Sequence, residues 1–163
     1  MKKIYSLIAA MMVAMTILVS CASENTQKTT ALLESIANQD YAKAEDLAAN
    51  LYTVKDQLTT DEACGFAVGL NGLVNALQST DVAKAQDYCA KFIEIADATV
   101  AKDAEGVKKF AEESKVDIAA IVEDYKAQAA AAQKAAEEAA QQAAEATEEE
   151  TTSEEQPAEK QAE

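Results

Sequence analysis

Cys21, Cys64 and Cys89 are the three thiols of this 163-residue chain, and few other side chains in it suit covalent or metal chemistry. The chain has no His and no Arg, since all fourteen basic residues are lysines. Without His it lacks the usual general base and the commonest metal ligand at neutral pH. Without Arg it lacks the planar fork that grips carboxylate or phosphate bidentately. Two further cysteines without a His make no zinc pattern. Glu113, Asp117 and Asp124 set acids along one side of a helical stretch. Paired carboxylates do acid–base work when one is buried and its pKa is raised, but on the outer face of a helix they read as a solubilising surface. Their spacing does not match a calcium loop. The residues therefore predict no catalytic set, no metal site and no cofactor. The formal charge of −15 also argues against a nucleic-acid partner.

The first cysteine stands apart. Lys2 and Lys3 precede an apolar run from Ile4 to Val19, about sixteen residues long and too short for a spanning helix of about 20. The run ends in Leu18-Val19-Ser20-Cys21. This tetrapeptide resembles the lipobox of bacterial lipoproteins, with a Leu three residues before the Cys and a small residue directly before it. The resemblance covers residues 1–21. It implies that residues 1–20 are a signal peptide cleaved between Ser20 and Cys21, that Cys21 is thioether-linked to diacylglycerol, and that the new N-terminus is acylated. Three acyl chains exceed what stable attachment to a bilayer requires. The implied location is the bacterial cell envelope, and Ala22, a residue other than Asp after the Cys, points to the outer membrane, on its periplasmic side or at the cell surface. The competing reading is an ordinary secretory signal with a coincidental Cys. Loss of residues 1–20 removes two lysines and no acid, so the mature chain holds twelve lysines against 29 acids.

The remaining chemistry-bearing residues need elements to position them, and the periodicity predicts an all-α domain. Residues 21–28 read as a polar tether, 29–126 as the helical domain, 127–146 as an Ala/Glu-rich helical extension and 147–163 as a disordered acidic tail. Five helices are expected. A short first one runs near Thr30–Asn38, with Leu32, Leu33 and Ile36 inward. A second runs from about Tyr41 to Leu58 behind an Asp40 cap. A third starts at a capping-box match, Thr59 with Glu62, and turns Phe66, Leu70, Leu73 and Leu77 inward. A fourth follows Asp81 and buries Val82, Ala85, Tyr88, Cys89, Phe92 and Ala96. The fifth, from about Ala104, carries one stripe from Val107 to Tyr125 and continues into the alanine-rich extension.

The helices repeat. Asp40-Tyr41-Ala42-Lys43-Ala44 aligns with Asp81-Val82-Ala83-Lys84-Ala85 at an offset of 41, and the register extends upstream from Leu32, Leu33 and Ile36 to Leu73, Val74 and Leu77. Each unit is a helix, a tight turn and a helix. These residues resemble a tetratricopeptide-like helical hairpin, with departures: the period is 41 rather than 34, no proline closes a unit, and the first leading helix is short. A generic antiparallel helical bundle is the other reading of the same pattern. The resemblance places Asn71, Asn75 and Gln78 on the concave face, where Asn side chains bind peptide ends. Without it, the three form a solvated stripe. Gly65, Gly69 and Gly72 imply close approach of a neighbouring helix, or a groove that exposes backbone. The implied compartment is oxidising, so a Cys64–Cys89 disulfide is one reading; a helix 3–helix 4 hairpin turning near Thr80 separates the two by roughly 10 Å along the axis, more than a disulfide spans, which favours two buried free thiols.

Two functions fit. One is a membrane-anchored lipoprotein whose domain is a non-catalytic protein- or peptide-interaction module. The other is a structural envelope spacer or assembly accessory without a discrete ligand site, although sustained coiled-coil heptads are lacking. The expected partners are a lipid bilayer, through acylated Cys21, and an envelope protein or peptide.

Overall fold

The computed structural model describes residues 23–132 and 134. The expected signal segment and Cys21, the rest of the alanine-rich stretch and the acidic residues 147–163 lie outside the described residues. Those described form an all-α fold with no strand. The helices are α1 (Glu24–Ala37), α2 (Tyr41–Thr53), α3 (Thr60–Leu77), α4 (Val82–Lys102) and α5 (Ala104–Ser114), followed by α6 over residues 118–132. A single 3-10 turn, Lys55–Gln57, joins α2 to α3. The chain divides into a unit ending at Glu123 and a second unit beginning at Asp124.

Short-range chemistry sets where each helix of the first unit starts. The carboxylates of Asp40, Asp81 and Asp103 accept from the backbone N–H of Lys43, Lys84 and Gly106, each satisfying an amide that the first turn leaves free. Thr59 and Glu62 form the reciprocal capping box that their spacing predicts. α1 and α2 make one hairpin, α3 and α4 a second, and α3 packs on α1, α2, α4 and α5. Its small residues and continuous apolar content suit that central place, and Cys64 through Val74 are buried on every side. An added Cβ on Gly69 would lie 2.5 Å from Leu32 Cδ2, so the glycine there serves the close approach of α1.

The repeat holds in three dimensions. Leu32 and Leu73, Leu33 and Val74, Ile36 and Leu77, Ala44 and Ala85, and Leu51 and Phe92 are all buried. α1 and α3 run parallel, since Ser23 meets Glu62 at their starts and Leu32 meets Gly69 further along. α2 and α4 are likewise parallel, joined by Lys84 with Glu45 at 2.7 Å and by Lys55 with Glu94. α5 packs on α3 and α4 through Val107 and Phe110.

Several expectations need correction. α1 starts at Glu24, not near Thr30, so residues 24–28 are helix rather than tether. Ser23 caps it by accepting from the Thr26 N–H, and Lys28 pairs with Glu24 one turn apart. α2 ends at Thr53, although Leu58 is still buried. Val82 is 58% exposed instead of packed, and its counterpart Tyr41 is only half-buried. Both are the first residue after an Asp cap, where the side chain lies outside the hairpin. Cys89 is half-buried. The expected fifth helix is broken in two. Lys115 adopts a left-handed conformation (φ 61°) and its N–H closes α5 on Ala111 O. The Val116 N–H then donates to Ser114 Oγ, and Asp117 caps the next helix by accepting from the Ala120 N–H. The apolar stripe hid the break because Ser114, Val116, Ile118 and Val122 are buried on both sides of it.

Thr29 on α1 is fully buried, and among the described residues its hydroxyl has no hydrogen-bond partner. Such an unmet group costs about 1–3 kcal/mol. Thr29→Val keeps the shape and removes the hydroxyl, so the expected result is a stabilisation of about 1 kcal/mol in urea unfolding.

Candidate functional site

α3 joins two of the three predicted contact residues by hydrogen bonds and places the third one turn further on, at its C-cap. Asn75 Nδ2 donates to Asn71 O at 2.8 Å and to Asn71 Oδ1 at 3.2 Å. Asn71 is buried, so it belongs to the packed interior rather than to a solvated stripe. Asn75 and Gln78 are exposed. Gln78 is the C-cap of α3, with its N–H on Val74 O. A partner approaching this side of α3 therefore meets Asn75 and Gln78 and reaches Asn71 through the amide of Asn75.

At the opposite end of α3 lies a polar cluster that sequence reading missed. Glu62 is buried, only 3% exposed. Its carboxylate accepts from the Ser23 hydroxyl, from Thr26 Oγ1 at 2.7 Å and from the Thr59 N–H at 2.9 Å. One side chain thus closes the start of α3 and fastens the start of α1 to it. Burial on its own pushes the Glu62 pKa up, but hydrogen bonds from Ser23, the Thr59 amide and Thr26 outweigh this and hold it below the ordinary carboxylate value. The capping box was visible in the sequence. The reach to Ser23 and Thr26, nearly forty residues away, was not.

Beside this cluster is an open cavity of about 300 Å³ between the ends of the two hairpins. Leu58 and Ala63 contribute apolar wall, and Lys55, Thr60, Thr99 and Lys102 contribute polar groups. These groups are engaged with the protein. Lys102 Nζ donates to Leu58 O, Thr99 Oγ1 to Ile95 O and Thr60 Oγ1 to Asp103 Oδ2. On the outer face of α2 and α4, Glu94 accepts from Lys55 and Tyr52, while Lys55 and Lys91 lie 4.5 and 5.4 Å from the centre of the Tyr52 ring. The Lys55 hydrogen bond, joined by that of Tyr52, lowers the pKa of Glu94. This is an inter-hairpin clamp in which charges are matched.

Cys64 and Cys89 are free thiols. Burial, with smaller contributions from Asp61 and Asp103, pushes Cys64 up to about 12, and burial also raises Cys89. Reactivity follows the thiolate. The expected outcome of maleimide labelling under native conditions is slow modification of Cys89 and none of Cys64 until denaturant is added. Fast labelling of Cys64 in the folded protein would contradict this packing.

Glu113 and Asp117 are exposed in the first unit, Glu113 lying 3.8 Å from Lys109, and Asp124 is exposed in the second. Among the described residues, no group of three or more His, Cys, Asp or Glu is arranged to hold a metal ion, and no helix is long and apolar enough to cross a membrane. What the surface offers is hydrogen bonding from Asn75 and Gln78 along a rigid helix. No protein-family model, curated protein or solved structure matches the chain.

Proposed function

We propose that this chain is a lipoprotein anchored to the bacterial cell envelope through acylated Cys21, and that its helical domain is a non-catalytic module for binding an envelope protein or peptide. The observation that carries the binding role is the pair of hairpins stacked with like helices parallel, which presents exposed polar residues on a rigid framework. Such stacked helical repeats create extended binding surfaces. The sequence 18–21 supports the anchor, and Ala22 supports placement in the outer membrane.

The test is chemical crosslinking on intact cells making the full chain, followed by mass spectrometry of what co-purifies. One dominant partner, linked through lysines such as Lys84 and lost in an Asn75→Ala, Gln78→Ala double variant, is the expected result. Diffuse links to abundant envelope proteins, unchanged in the double variant, would overturn the binding role and leave a structural spacer.

A further inference from the structure

The start of the folded domain has a topological consequence for the anchored protein. Ser23 is already the N-cap of α1, and its hydroxyl is held by the buried carboxylate of Glu62. Two peptide steps separate Ser23 from Cys21 and span at most about 7 Å even when fully extended. A lipid attached at Cys21 is therefore held close to one particular end of the helical array. At that end lie the starts of α1, α3 and α5 and the finishes of α2 and α4, as the contacts of Glu62 with Ser23, Thr60 with Asp103, and Lys102 with Leu58 O require.

We propose that the domain sits on the bilayer in one fixed orientation, with the end bearing Ser23, Asp61 and Asp103 against the lipid headgroups and the end bearing Asn75 and Gln78 pointing away. The occupant of the first end is a phospholipid surface. This rests on the lipid-anchor reading of Cys21 and adds to it that no free tether intervenes. Charge does not drive the contact. Asp56, Asp61 and Glu105 are exposed at this end, and the lysines Lys55 and Lys102 stand among them. The covalent anchor and the Glu62 clamp set the orientation, so it requires no anionic lipid.

The test uses the full acylated protein reconstituted into phosphatidylcholine vesicles that carry an energy acceptor on the headgroups. A donor fluorophore is placed in turn at Asp61→Cys and Gln78→Cys, both exposed positions, with Cys89→Ser in each. The two sites lie about 26 Å apart along α3. The expected result in these zwitterionic vesicles is several-fold more energy transfer from 61 than from 78. A Gly/Ser insertion of about twenty residues between Ala22 and Ser23, spanning roughly 25 Å, should erase the difference. Equal transfer from both positions with the native spacing, or more from 78, overturns the orientation. Flotation of residues 21–163 carrying Cys21→Ala, made without the apolar run of residues 4–19, with the same vesicles instead overturns the anchor itself, so the two failures are distinguishable.

Discussion

Glu62→Ala destabilises the helical domain by about 3 kcal/mol, because one truncation leaves the Ser23 and Thr26 hydroxyls and the Thr59 amide without their shared acceptor. For a domain of this size the thermal midpoint falls by about 12 °C or more. Glu62→Gln keeps one acceptor oxygen and costs less, about 1 kcal/mol. The same pair reports on pH. The folded pKa of Glu62 lies below its ordinary value of 4.5. Its stabilisation is therefore fully present above that value and drains away as pH falls through the folded pKa. Thermal melts followed by circular dichroism from about pH 7 to about pH 3 should show a steeper acid loss in the native protein than in Glu62→Gln. Parallel curves would mean that the carboxylate is not held as described. The other carboxylates with lowered values, Glu24, Glu94 and Asp103, are common to both proteins and cancel in the comparison.

Cys21→Ala is expected to move the protein wholly from the membrane fraction to the soluble fraction, or to leave it as an uncleaved precursor. Each buried methylene contributes about 0.8 kcal/mol, and one acyl chain gives only marginal attachment. Under the proposed anchor, three chains on a single residue make attachment effectively complete, so replacing the thiol removes it. The strongly negative charge gives no attraction to anionic lipid, and no helix among the described residues is long and apolar enough to cross a bilayer. Intact mass of the purified native protein supplies the second readout. It should exceed that of residues 21–163 by the mass of the lipid, and an unmodified mass for a membrane-bound protein would refute the assignment.

Much of the fold was legible because hydrophobic spacing and caps acted together. The capping box at Thr59 and the Asp40 and Asp81 caps are read from side chains within three residues of the amides they serve, and the 41-residue offset identified equivalent buried positions in both hairpins. What escaped was decided by distant partners. The start of α1 reads as a tether because residues 23–28 are polar, yet Thr26 is buried beneath a carboxylate from another helix. Asn71 reads in the sequence as accessible, on a concave contact face or in a solvated stripe, but the fold buries it. The break at Lys115 left no gap in the apolar stripe, so periodicity had nothing to register there. Of the candidate site, the exposed pair Asn75 and Gln78 could be picked out, whereas the Glu62 cluster could not, because its members are scattered over residues 23–62.

The shared carboxylate of Glu62 also constrains the order in which the protein acquires its structure. A chain released N-terminus first, from a ribosome or through a membrane, delivers Ser23 and Thr26 well before the residue that completes their hydrogen bonds. Until residue 62 emerges, the first helix has α2 beside it but no carboxylate for Ser23 and Thr26 and no Gly69 against which to seat Leu32. The leading hairpin therefore completes its packing only when the following helix arrives, and the two hairpins close together rather than in succession. The emergence of Glu62 is the step at which the start of the chain becomes fastened to the rest of the helical array.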